Sequence, residues 1–188
     1  MCIRDSDYEI GTKRAKAAQL LMLALPGSAY LYNGEELGLP EHTNLPAESR
    51  EDPAFFRTKG KEAGRDGCRI PMPWISDAPG AGFSPTGKTW LPLPSGWEGF
   101  AVNLQEDDPD SYLNFIRTVL AYRAKYGLGT ANLTQVDVAG GLAYDIGDIR
   151  VMTSFDEPLE VPDGYSVIVA SSPVTDRIGP DTTVWLRR

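Results

Sequence analysis

The chain has 188 residues, a formal net charge of −8 and a pI near 4.7, with 41% hydrophobic and 23% charged residues. That composition is ordinary for a soluble globular chain, and the length suits one domain or a small domain joined to part of a larger one. The acidic balance, with no Lys/Arg cluster to offset it, argues against nucleic acid as a partner, and no run approaches the roughly 20 apolar residues of a membrane span.

Cysteine usage is equally restrictive. Cys2 and Cys68 make no disulfide framework and no CxxC spacing, and His42, the one histidine, cannot build a histidine-rich metal site. No metal and no cofactor are expected, and a reducing, cytoplasmic setting fits best. The opening residues 1–6 carry no apolar run and are no signal peptide. They resemble a translated assembly remnant, so they are set aside as an artefact and the natural protein is expected to continue upstream.

Thr12 to Leu25 is predicted as a helix, with Ala15, Ala18, Leu21, Met22 and Leu25 spaced three and four apart. Pro26-Gly27 stops it. Ala29 to Tyr32 is a short continuous apolar run, as expected of a strand covered on both faces in a parallel sheet. A helix leading into such a strand is half of a repeating α/β unit.

Periodicity then disappears from Gly34 to Gly99. Eleven of the 29 residues from Pro71 to Gly99 are Gly or Pro, yet Phe55, Phe56, Trp74, Phe83, Trp90, Trp97 and Phe100 lie along the same stretch. Disordered chains are poor in aromatics, and an irregular segment of this length in a compact domain marks a site. A large ordered loop is therefore expected. Asp108-Pro109 opens a second helix as N-cap and first helical residue, with Tyr112, Phe115, Ile116, Val119 and Leu120 as its apolar face, and Gly127 and Gly129 end it. Beyond it come short β-rich runs: Gln135–Val138 and Leu142–Ile146 around Gly140-Gly141, then 150–155, 165–170 and 182–186. They predict a small antiparallel sandwich or barrel, with the boundary near Gly127. The division is then 7–127 and 128–188.

Two groups of residues could carry chemistry. Glu35-Glu36 is a carboxylate pair of the kind used in glycosidic hydrolysis, but adjacent residues at a strand end point in different directions, so one of them is expected to anchor loop amides. In the run Gly64 to Trp74, Arg65, Asp66 and Arg69 lie between glycines that permit close backbone approach. A planar guanidinium can bridge two neighbouring sugar hydroxyls and Trp74 could cover an apolar sugar face. An ordinary surface Arg–Asp pair fits the residue types equally well, and most aromatics of such a loop pack against the loop itself.

The motifs in combination resemble a family. Leu25-Pro26-Gly27-Ser28-Ala29-Tyr30-Leu31-Tyr32-Asn33-Gly34-Glu35-Glu36-Leu37-Gly38 resembles the region at barrel strand 8 of the α-amylase superfamily. Gly64-Arg65-Asp66-Gly67-Cys68-Arg69-Ile70-Pro71-Met72-Pro73-Trp74 resembles the Arg-Asp-Gly-x-Arg-x-Pro-Met-x-Trp segment of α-glucosidases and oligo-1,6-glucosidases of glycoside hydrolase family 13. The likeness extends over Tyr8 to Arg188. It implies the end of a (β/α)8 TIM barrel (helix 7, strand 8, helix 8) followed by an antiparallel β domain, with the strand-8 loop on the active-site face.

It further implies an exo-acting, retaining α-glucosidase cleaving terminal bonds of maltose- or isomaltose-type oligosaccharides. Its aspartate nucleophile, glutamate acid/base and third carboxylate would precede Thr12, so no catalytic residue is assigned to this chain and the chain alone is expected to be inactive. Arg69 matches the arginine that helps hold the terminal glucose. Arg65 and Asp66 are assigned to bracing the loop, and Glu35 and Glu36 match structural positions. Pro73, where many relatives carry Gln, leaves α-1,4 against α-1,6 preference open, as it leaves a transglycosylating relative of isomaltulose- or trehalose-synthase type. A non-catalytic sugar-binding or structural module is the rival from another class. Oligomeric state is not legible.

Overall fold

The computed structural model describes residues 7–188, so the expectation for residues 1–6 lies outside the described residues. These fall into two compact units, one of residues 7–8 and 31–115 and the other of residues 9–30 and 116–188. Among the described residues four α-helices occur, besides short 3-10 turns: α1 (Tyr8–Ala24), α2 (Pro53–Arg57), α3 (Val102–Gln105) and α4 (Tyr112–Lys125). Seven strands follow: β1 (Leu133–Val136), β2 (Gly141–Ile146), β3 (Ile149–Ser154), β4 (Leu159–Glu160), β5 (Ser166–Ala170), β6 (Arg177–Ile178) and β7 (Thr182–Arg187).

In the second unit, β1, β2, β3, β7 and β5 make a five-stranded antiparallel sheet in that order, while β4 and β6 pair separately. The hairpin expected around Gly140-Gly141 is present, Leu133 facing Ile146 and Val136 facing Ala143. A side chain at Gly141 would place its Cβ 2.3 Å from the Thr153 carbonyl oxygen, so the close approach of β3 requires glycine there. Leu159 and Ile178 of the small ribbon pack on Ala143, Met152, Val184 and Leu186 of the large sheet. Each apolar side chain taken fully out of water there contributes roughly 1.5–3 kcal/mol. These two layers form the expected sandwich, although β4 and β6, two residues each, left no periodic signal.

The opposite face of the same sheet is covered as well. Val151 faces Trp185 across β3 and β7, and the buried Trp185 donates its indole N–H to the Leu20 carbonyl at 3.0 Å. Such a bond contributes about 1 kcal/mol net and fixes where α1 lies against β7. Coverage on both faces explains why the whole run Thr182 to Leu186 is buried. Thr183 is accommodated in that buried run because its hydroxyl bonds the Thr153 hydroxyl at 2.8 Å.

Helix α1 starts earlier than its periodicity indicates and buries a different face: Ala15, Ala17, Leu20, Leu23 and Ala24 are inside, whereas Leu25 is 36% exposed. Leu20, Leu21, Met22 and Leu23 are all apolar, so spacing alone cannot choose the inward side. The bond from Trp185 chooses it. The chain leaves the helix through Gly27 at φ +91, as expected of a left-handed terminator. Arg123 of α4 completes the end: Nη1 donates to the Leu23 and Leu25 carbonyls at 2.6 and 2.7 Å, and Nη2 donates to Gly27 at 2.6 Å. A guanidinium is suited to those orphan carbonyls by geometry and by the helix dipole.

Two local expectations are corrected. Ala29 to Tyr32 form no strand. A strand exists through its neighbours' hydrogen bonds, and among the described residues neither sheet includes this run. The second helix begins at Tyr112 and its N-cap is Ser111, whose hydroxyl accepts the Asn114 N–H at 3.1 Å. Asp108 instead closes the preceding turn, accepting the Asp110 N–H at 2.9 Å.

Candidate sugar-binding site

The first unit contains the long loop, which is ordered almost without regular structure. Leu45, Ile70, Leu91 and Trp97 make its small core, and the buried Gln105 ties three segments together. Gln105 Nε2 donates to the Leu37 and Phe100 carbonyls at 3.1 and 3.0 Å, and Oε1 accepts the Leu113 N–H at 3.0 Å. Several loop aromatics pack with one another, Phe83 on Trp90 at 4.9 Å and Trp97 on Phe100 at 6.0 Å between centroids.

The polar centre of this unit is a pair of carboxylates. Asp66 is buried and its Oδ2 accepts the N–H groups of Glu51 and Asp52 at 2.9 and 2.8 Å. Asp52 is the N-cap of α2, accepting the Ala54 N–H at 2.9 Å through Oδ1, with Pro53 at the first helical position. Its Oδ2 accepts the Arg65 N–H at 3.0 Å. Arg69 Nη1 then reaches both acids, 3.3 Å from Asp52 Oδ2 and 3.4 Å from Asp66 Oδ1. Glycine is required twice beside them: a Cβ at Gly64, held at φ +71, would lie 2.5 Å from Asp52 Cβ, and one at Gly67 would lie 2.6 Å from the His42 carbonyl oxygen.

Arg69 is therefore aimed by two acids that are themselves aimed by backbone amides. Its side chain is 44% exposed, and its remaining donors make no hydrogen bond among the described residues. It opens on a shallow cleft of about 760 Å³ lined also by Asp52, Arg57, Glu62, Gly64 and Arg65. The arrangement can present a planar, pre-oriented set of N–H donors to neighbouring hydroxyls.

The other expected residues are distributed as follows. The Arg65 side chain is exposed on the same cleft and its backbone N–H is the part tied to Asp52. Trp74 is 47% exposed, with its N–H on the Ala81 carbonyl. Glu35 and Glu36 curl back on their own turn, accepting the Tyr32 and Gly34 N–H groups at 3.2 and 2.8 Å. Both thus bond backbone amides of the loop. Asp52 is the residue that sequence reasoning missed, although its signal was available: Asp followed by Pro is the helix-start pattern read at Asp108-Pro109.

The hydrogen bonds from Ala54 and Arg65, ahead of the Arg69 charge, hold the Asp52 carboxyl below its ordinary range. A depressed folded-state value means that Asp52 contributes stability above the unfolded carboxylate value near 4 and loses it as the pH falls through the folded value. Amide-exchange protection of Ala54 and Arg65 is accordingly expected to fall on acidification below about pH 4. In Asp52→Asn that acid dependence should vanish; persistence of the same acid transition in the variant would remove Asp52 as its cause.

Comparison with known proteins identifies the family. Residues 2–130 match the alpha amylase catalytic domain, and the chain belongs to that family. It is 39% identical over 129 residues to a probable alpha-glucosidase of Rhizobium meliloti, covering 68% of this chain and 23% of the relative. It is 33% identical over 161 residues to the trehalose synthase/amylase TreS of Mycobacterium tuberculosis, covering 75% and 24%. Among solved structures, the alpha-glucosyl transfer enzyme XgtA superposes with a TM-score of 0.78 at 31% identity, covering 94% of this chain and 36% of that one. The chain thus spans about a quarter of the length of the curated relatives it matches. Its fold is the end of a (β/α)8 barrel followed by an antiparallel β domain. No helix among the described residues is long and apolar enough to cross a membrane.

Proposed function

We propose that the whole protein is an exo-acting, retaining α-glucosidase, to which residues 7–127 contribute the last part of the barrel and residues 128–188 a β domain. The observation that carries the reading is Arg69, held by Asp52 and Asp66 with its outer donors open on a cleft. It grips the terminal glucose of a small α-glucoside, while Asp66, Glu35 and Glu36 brace the wall behind it. The relatives' names support the substrate class.

The acids of the reaction come from outside these 188 residues. In a retaining mechanism one carboxylate attacks the anomeric carbon and the other protonates the leaving oxygen, then activates water. Cysteine usage supports a cytoplasmic setting.

A second reading has its own support in the relatives named as a trehalose synthase and a glucosyl transfer enzyme. There the glucosyl group passes to a sugar hydroxyl instead of water. Product analysis of the full-length protein with maltose, isomaltose and sucrose separates the two. Free glucose as the dominant product supports hydrolysis, an isomeric disaccharide supports transfer, and turnover of none of them leaves only a binding module.

A further inference from the structure

The β domain carries a second cleft, of about 290 Å³, lined by Asp145, Gly147, Asp148, Ile149, Arg150, Tyr165, Arg187 and Arg188. Three arginines line it beside two aspartates, in a chain whose net charge is −8, and the guanidinium of Arg187 leans to Tyr126 at its margin. Two of them address one ring: the guanidinium carbons of Arg150 and Arg188 each lie 4.9 Å from the Tyr165 centroid. Cation–ring attraction draws each inward, but it also brings two like charges together.

Asp145 lies near enough to feel both charges but bonds only one of them directly. Arg150 makes a two-point bond to Asp145, Nε to Oδ1 and Nη2 to Oδ2, both at 2.7 Å. That bond holds the Asp145 carboxyl low and the Arg150 guanidinium high. Arg188 makes no hydrogen bond or ion pair among the described residues. Arg187 lies over Tyr126 at 5.6 Å and makes none either. Asp148, in the β2–β3 turn, lines the cleft without pairing to any arginine.

We infer that this cleft binds a small oxyanion, a phosphate group either free or carried on a sugar. The observation is specific: guanidinium forks are bidentate donors to phosphate, and here the Arg188 fork lies 4.9 Å from the Tyr165 centroid while its donors make no hydrogen bond among the described residues. Arg188 supplies the principal contact and Arg187 a second charge, while Asp145 keeps Arg150 in place behind them. Asp148 opposes the anion and sets how weakly it is held. The site is independent of Arg69 and of the reading proposed for it.

Calorimetric titration of the full-length protein with sodium phosphate and with glucose 6-phosphate, at ionic strength fixed with sodium chloride, tests the inference. Saturable binding is expected, weakened about tenfold or more in Arg188→Gln, since a charge-assisted bond is worth about that factor. Asp148→Asn should tighten binding several-fold, and Arg177→Gln, outside the cleft, should change nothing. Equal affinity for the two probes assigns recognition to the phosphate alone, and tighter binding of the sugar phosphate adds sugar contacts. Absence of saturable binding, or affinity unchanged in both Arg188→Gln and Asp148→Asn, overturns the proposal. Because Asp148→Asn removes no pairing within the fold, it keeps the test decisive if Arg188→Gln disturbs the sheet edge.

Discussion

On the proposed α-glucosidase reading, Arg69→Ala in the full-length protein is expected to lower kcat/KM for a p-nitrophenyl α-glucoside by about 10²-fold or more, and Arg65→Ala to cost less than about threefold. The first magnitude follows from losing one or two charge-assisted hydrogen bonds to the sugar, about 1.5–3 kcal/mol each, at roughly tenfold per 1.4 kcal/mol. Asp52 and Asp66 keep their backbone donors when Arg69 is gone, so the loop retains its frame and the loss reports on substrate. Arg65 contributes a backbone N–H to Asp52, and alanine preserves that N–H. Arg69→Lys should recover little, because a single ammonium cannot reach both acids and two sugar hydroxyls. Equal, small losses for Arg69→Ala and Arg65→Ala would return Arg69 to the role of a loop brace.

The purified 188-residue chain is expected to release no p-nitrophenol from the same substrate. Retaining hydrolysis needs two carboxylates about 5–5.5 Å apart, one a free nucleophile and one able to donate a proton. Of the acids at the Arg69 cleft, Glu62 is exposed on its rim and is a single carboxylate where two are needed, and Asp52, Asp66, Glu35 and Glu36 are otherwise engaged. Asp52 accepts two amides and a guanidinium and stays ionised. Asp66 is buried beneath two amides and the same arginine. Glu35 and Glu36 are folded onto the amides of their own turn. None is placed to attack an anomeric carbon or to protonate a leaving group. Turnover by this chain above the buffer rate, abolished by substitution of any one of these acids, would sink the assignment of chemistry to residues elsewhere.

Much of the fold was legible because its signals are local. Gly140-Gly141 marked the β1–β2 hairpin and Pro26-Gly27 marked the end of α1, since backbone geometry at a turn depends on the residues within it. Two features were not legible because they depend on partners distant in sequence. The inward face of α1 is set by Trp185, 165 residues from Leu20. Ala29 to Tyr32 has a strand's composition, but composition supplies no neighbour to pair with. At the site, Arg69 could be matched to a motif, yet its orientation could not, because Asp52 lies 17 residues away. The Arg–Asp spacing alone equally described an exposed ion pair; the buried amide bonds to Asp66 distinguish the two.

The clasp that Arg123 places on the end of α1 has a consequence for how this segment can vary. Every atom it grips is a main-chain oxygen, of Leu23, Leu25 and Gly27. Main-chain oxygens are present whatever residue stands at a position, so beyond the left-handed turn at Gly27 the bend after α1 is held by one distant side chain. The Leu25 side chain takes no part in that clasp, so its substitution leaves the three bonds in place. Arg123 shares that constraint with Gly27: one holds the bend from about 100 residues away, the other from within it.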